Sequence, residues 1–132
     1  MIEQLMLVGE SKYSFAQTVA ELSEKILASG WRMPAQHDLQ ENVRKIGGDI
    51  LPVKVIEVCR PDYAAKILSV DSLRVFSPLM PCRISVYEES DGKVYIARMN
   101  SGLLASQIGG IIEEVMGKAF NEMEDLLKDF LK

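Results

Sequence analysis

Apolar and polar positions along this chain follow two periods, and the switches between them mark its elements. Residues 4–9 form a short apolar run closed by Gly9, which predicts a first strand. Ser14 then opens a helix over 15–28, in which Phe15, Val19, Leu22 and Ile26 recur at three or four and share one face. Ser14-Phe15-Ala16-Gln17 fits a capping box, where hydroxyl and amide satisfy orphan N–H groups at the helix start, and Gly30 supplies a left-handed stop. Trp31–Asp38 has no helical period and contains Pro34, so it reads as a second strand or extended segment. A short helix around Leu39–Ile46 follows and ends at Gly47-Gly48. Val53–Val58, rich in β-branched residues, predicts a strand. Pro61 suits the first position of the next helix, because the N–H it lacks would be unpaired there. Ala64, Ile67 and Leu68 give that helix a small apolar face before it ends near Ser69.

Leu79–Glu88 and Lys93–Met99 are two strand-forming runs joined through Asp91-Gly92, a pair that predicts a hairpin with a two-residue type I′ turn. On that register Ile84, Val86 and Tyr95 share the face toward the helices, while Tyr87, Val94 and Ile96 lie on the other. Ser101–Gln107 then makes one or two helical turns before Gly109-Gly110. Ile112, Val115, Ala119, Met123, Leu126 and Phe130 recur at three or four, which predicts a final helix of about 20 residues. The order is β-α-β-β-α-β-β-α. The predicted fold class is α+β, a mostly antiparallel sheet with the helices packed on one face.

Composition narrows the function classes. The 132 residues fit one domain, 1–132, and at 48% apolar and 26% charged they match an ordinary globular protein. Lys plus Arg number 15 against 19 Asp plus Glu, a formal charge of −4 with no basic cluster, so neither nucleic acid nor a membrane is an expected partner. Met1–Glu10 lacks a positive n-region, and its apolar run is too short for a signal peptide or a span, so the expected location is cytoplasmic. Two cysteines are too few for a secreted disulfide scaffold.

Those cysteines, Cys59 and Cys82, are the sharpest chemical pair. Each stands at a strand boundary near a proline, and each is followed by an arginine, Arg60 or Arg83, that would lower its pKa and favour the thiolate. Against this, free Cys is among the most buried residue types and packs as a small hydrophobe. His37-Asp38 with the two cysteines would make a zinc set, but no C-x-x-C or H-x-x-x-H spacing is present, so no metal or cofactor is expected. Gly47-Gly48 and Gly109-Gly110 match no phosphate-loop pattern and read as helix terminators. The methionines, Met80, Met99, Met116 and Met123 among them, read as adaptable core.

Tyr13-Ser14-Phe15, Gly30-Trp31, Lys45-Ile46-Gly47, Cys59-Arg60-Pro61 and Met80-Pro81-Cys82-Arg83, with the Val-Tyr-Glu-x-x-Asp-Gly hairpin, resemble the family known as domain of unknown function 302 over nearly the whole chain. The resemblance implies a TATA-binding-protein-like two-layer sandwich, commonly dimeric, with a Cys-x-Pro step after a central strand and a Leu-Pro-Cys step opening the hairpin. Cys59 with Pro61, and Pro81 with Cys82, stand at those steps; Arg60, Arg83 and Met80 depart from the family's usual residues. The family carries no assigned activity. The candidate ligand-binding residues are Cys59, Arg60, Cys82, Arg83, Asp38 and Lys45, with Cys82 and Cys59 as the catalytic candidates. With no general-base arrangement readable, the expected function is a homodimeric ligand-binding or accessory module whose small-molecule site lies between sheet and helices. The alternative is a thiol-dependent redox or sulfur-handling enzyme or carrier, with Cys82 as nucleophile and Cys59 as its resolving partner.

Overall fold

A computed structural model describes residues 2–132. Met1, part of the N-terminal stretch read above, lies outside the described residues. The elements in chain order are α1 (Ile2–Leu5), β1 (Met6–Glu10), α2 (Phe15–Ala28), β2 (Gln36–Asp38), α3 (Leu39–Arg44), β3 (Val53–Val58), α4 (Pro61–Leu68), β4 (Cys82–Glu88), β5 (Val94–Met99), α5 (Ser101–Ile108) and α6 (Gly110–Leu127). A 3-10 helix at Asp71–Leu79 links α4 to β4, so the hairpin's first strand starts at Cys82 rather than at Leu79. The five strands form one antiparallel sheet in the order β1-β5-β4-β3-β2. The α+β class and the order β-α-β-β-α-β-β-α are those the sequence predicts, with the short helices α1, α3 and α5 added to that order and Leu5 in α1 rather than in the first strand. Among the described residues no helix is long and apolar enough to cross a membrane.

Local chemistry explains most element ends. Ser14 caps α2 by accepting a hydrogen bond from the Gln17 N–H at 3.2 Å, and Asp38 caps α3 by accepting from the Glu41 N–H at 3.0 Å. Asn100 caps α5 through the Leu103 N–H at 3.3 Å.

The hairpin turn differs from the two-residue expectation, and the difference reorients a strand. Glu88 pairs with Val94, the Glu89 N–H donates to the Lys93 carbonyl at 3.0 Å, and the Gly92 N–H donates to the Glu89 carbonyl at 2.9 Å. Ser90, Asp91 and Gly92 therefore form a three-residue loop in which only Gly92, at φ 84°, takes the left-handed conformation. Asp91 instead turns its carboxylate to the Lys93 N–H at 2.9 Å. One extra loop residue shifts the register by one, which exchanges the two faces of β5. Val94 and Ile96 are buried under the helices, and Tyr95 moves to the open face, where its ring stacks on Tyr87 at 5.7 Å between centroids.

Two hydrophobic cores result. The first lies between the sheet and the helix layer and joins Ile56, Val58, Ile84, Val86, Val94 and Ile96 to α2 residues Leu22 and Ile26, to Trp31, and to Met123, Leu127 and Phe130 at the C-terminal end. The second lies beyond the sheet, where α4 and α5 pack on the N-terminal half of α6 through Ile67, Ala105, Ile112, Val115 and Met116. Leu73, Phe76, Leu79 and Met80 of the 3-10 segment pack against this second core. α5 lies close against α6 because Gly102 faces the Phe120 ring; a Cβ at Gly102 would stand 2.8 Å from it. The opposite face of the sheet carries no helix of this layer and presents Val53, Val55, Tyr87, Tyr95, Ala97 and Val8.

The register generates a direct prediction. Ile96→Ala should lower unfolding stability by about 2–5 kcal/mol, because it empties a fully buried position. Tyr95→Ala should lower it by only about 0.5–1.5 kcal/mol, the value of a lost aromatic pair. Urea midpoints of the two variants check this, and equal or reversed losses would contradict the three-residue loop.

Candidate functional site

The boundary between the two cores is where the packing opens. A small chamber of about 50 Å3 is walled by Cys59, Arg60, Tyr63, Ile67, Met80 and Val115, among others. An adjoining cleft of about 330 Å3 is walled by Met6, Arg83, Met99, Leu104, Phe120 and Glu124, among others. Trp31, Val58, Leu79, Pro81, Cys82, Ser101, Met116 and Ala119 border both, so Cys82 stands in the partition while Cys59 borders the small chamber alone. A third hollow of about 410 Å3 lies over α2, where the charged side chains of Glu21, Glu24, Lys25 and Asp129 share its rim with Tyr13 and Phe130. The cleft is the better site, because its lining is chiefly apolar with few polar groups, as in small-molecule sites generally.

Strand pairing places the cysteines. Val58 pairs with Cys82, so β4 opens beside the point where β3 leaves the sheet at Cys59. The Cys59 backbone is fixed by a reciprocal exchange with Arg32, at 2.8 and 2.9 Å. Both cysteines are free and partly buried. Burial pushes the Cys82 thiol up, and the neighbouring Cys59 adds to the rise. Burial also pushes the Cys59 thiol up, with Arg32 partly opposing it and Asp62 reinforcing it.

The arginines that follow the cysteines in sequence do not activate them. Arg60 forks onto Asp62, at 3.0 Å from Nη2 to Oδ2, and reaches Glu122 at 3.3 Å, with its guanidinium 4.4 Å over the Tyr63 ring. The Tyr63 hydroxyl donates to Glu122 Oε1 at 2.5 Å. That bond raises the Tyr63 pKa, and the Arg60 bond holds the Asp62 carboxyl below its usual range. The cluster clasps α4 to α6 beside the small chamber. Arg83 is exposed and lies 3.7 Å from Glu57, which also holds His37 at 2.8 Å.

The other expected site residues sit elsewhere. Asp38 is spent on the α3 cap and Lys45 is the exposed C-cap of the same helix; neither borders the chamber or the cleft. Among the described residues no three of His, Cys, Asp and Glu are grouped to share a metal ion.

The residues missing from the sequence reading are Trp31, Leu79, Phe120, Arg98 and Glu124. Arg98 donates from Nε and Nη2 to the two oxygens of Glu124, both at 2.8 Å, and the side chains are only 12% and 24% exposed. On its strand Arg98 shares a face with Ile84, so alternation alone assigns it inward; nothing in the sequence names Glu124, 26 residues on, as its partner.

The sequence pattern of the family described as Domain of unknown function DUF302 matches residues 8–130. The chain belongs to the DUF302 family. Its fold is similar to the crystal structure of an uncharacterized conserved DUF302 protein from Bacillus stearothermophilus, with a TM-score of 0.80 and 21% identity over 93% of this chain and 95% of that one. Comparison with curated proteins gives no match. The DUF302 assignment supplies fold and membership, and the chemistry rests on the geometry above.

Proposed function

We propose that this protein is a non-enzymatic, homodimeric ligand-binding or accessory module, with its small-molecule site in the cleft that Cys82 borders. The observation that carries this reading is the cleft itself: its roughly 330 Å3 falls within the 300–1,000 Å3 of typical ligand sites, and its apolar walls hold a few fixed polar groups. Desolvation keeps Cys82 and Cys59 as thiols at neutral pH, which suits walls of a binding site better than nucleophiles. Two free cysteines suit a reducing compartment, and we place the protein in the cytoplasm. The thiol-dependent redox or sulfur-handling alternative draws on one observation, that both thiols border one small chamber.

Dimerisation belongs to the same proposal. The open sheet face, with Val53, Val55, Val8 and the stacked Tyr87 and Tyr95, is an apolar surface of the kind monomers seldom leave exposed. Pairing through the β1 edge is disfavoured, because Leu131 bridges Ser11 and the Lys132 N–H donates to the Glu10 carbonyl at 3.0 Å along that edge. A two-fold contact between open faces buries the apolar surface through one self-complementary patch.

Alkylation of Cys82 in a Cys59→Ser background tests the site. The rate should rise with an apparent pKa at or above about 8.5 and fall when N-phenyl-1-naphthylamine saturates the cleft. A pKa well below that value would favour the nucleophile reading, and unchanged rates with bound probe would remove the ligand from the cleft. Sedimentation equilibrium at micromolar concentration tests the assembly. A dimer mass that falls to monomer in Tyr87→Lys with Tyr95→Lys is expected, whereas a monomeric native protein would overturn it.

A further inference from the structure

The Arg98–Glu124 pair stands in the wall of a cleft whose other sides are largely apolar, and its geometry determines what charge a ligand can carry. The guanidinium gives Nε and Nη2 to the Glu124 carboxylate at 2.8 Å each, and its Nη1 reaches the Ile96 carbonyl at 3.4 Å. Both side chains are more than three-quarters withdrawn from solvent. A bidentate pair of this kind is among the strongest hydrogen-bonded contacts a protein makes, and it leaves little net charge facing the cleft.

With Glu124 paired to it, Arg98 offers an anionic ligand no net positive charge, and displacing Glu124 would leave a carboxylate unpaired in a desolvated place, a change that is strongly unfavourable. Arg83, the other cation bordering the cleft, is 59% exposed and lies 3.7 Å from Glu57, so it is screened and partly neutralised. Cys82 adds no charge while it stays a thiol. The residues that border the cleft include Met6, Met99, Met116 and Met123, with Trp31 and Phe120, whose side chains are polarisable. Thioethers adapt to irregular shapes and make favourable contacts with aromatic rings.

We infer that the cleft takes neutral, polarisable molecules, aromatic or thioether-bearing, and that Glu124 sets this preference by neutralising Arg98. This rests on the reading that the cleft binds a ligand. Glu124 is a specificity-determining residue, acting through the arginine it holds.

Fluorescence titration with neutral N-phenyl-1-naphthylamine and anionic 1-anilinonaphthalene-8-sulfonate tests it on the native protein and on Glu124→Gln. The native protein should bind the neutral probe at one per chain, about tenfold or more tighter than the anion, since an added charge-assisted bond or a stranded charge is worth at least that factor. Glu124→Gln leaves Arg98 without a counter-charge, so the anion should gain about tenfold while the neutral probe changes by less than about threefold. If Glu124 is only a strut between β5 and α6, the variant's melting temperature drops and both affinities move together, which overturns its role in selection. Arg98→Met with Glu124→Met guards against a misfolded single variant: it keeps the wall neutral and should keep the native preference, and an anion preference there would overturn the inference. A native protein that prefers the anion refutes the charge rule while leaving the cleft as a site. A folded native protein that binds neither probe refutes both.

Discussion

One helix has to cover two unlike surfaces, and the rest of the molecule is arranged around that constraint. The C-terminal half of α6 presents Met123 and Leu127 to the sheet, while its N-terminal half presents Ile112, Val115 and Met116 to α4 and α5. At 18 residues and about 1.5 Å per residue, the helix outreaches the part of the sheet it covers. Near Ala119 and Phe120 it passes from one partner to the other, and both residues border the cleft. The cleft lies at that crossing, bounded by the last turn of the 3-10 segment and by the strand ends that carry Cys82 and Arg98.

Electrostatics at this crossing follow proximity in space rather than in sequence. Arg60 and Arg83 follow the cysteines in the chain, yet their guanidinium groups bind Asp62, Glu122 and Glu57. Desolvation is then the larger influence on each thiol, and it acts in the direction opposite to activation. Arg98 finds its carboxylate across the fold on α6, so that pair gives the cleft wall a fixed dipole rather than a net charge. Burial and pairing together are the features on which the proposed binding role rests.

Much of the fold could be read from the chain because its elements carry local signals. Ser14 is a short polar cap, Val53–Val58 is a β-branched run, and the α6 period of three and four is strong, so those elements appear where their residues place them. The β5 facing was misread because Asp91-Gly92 suits two kinds of turn; only the hydrogen bond between Glu89 and Lys93 reveals the third loop residue, and one residue reverses a strand's faces. The 3-10 helix over Asp71–Leu79 has a weak period and includes Pro78, so it left no clear signature. The cysteines were readable as candidates. The cleft walls were not, since Trp31, Phe120 and Glu124 come together only through long-range packing, and a Met at helical spacing looks the same in a core as in a binding wall.

The central claim is that the crossing point of α6 is a ligand site, and the methionine methyl groups report on it directly. Met6, Met99, Met116 and Met123 border the cleft, whereas Met33 does not. Methyl-labelled methionine NMR during titration with N-phenyl-1-naphthylamine should move those four resonances along one saturable curve and leave Met33 still. Shifts led by Met33, or a saturating titration that moves none of the four, would contradict the account.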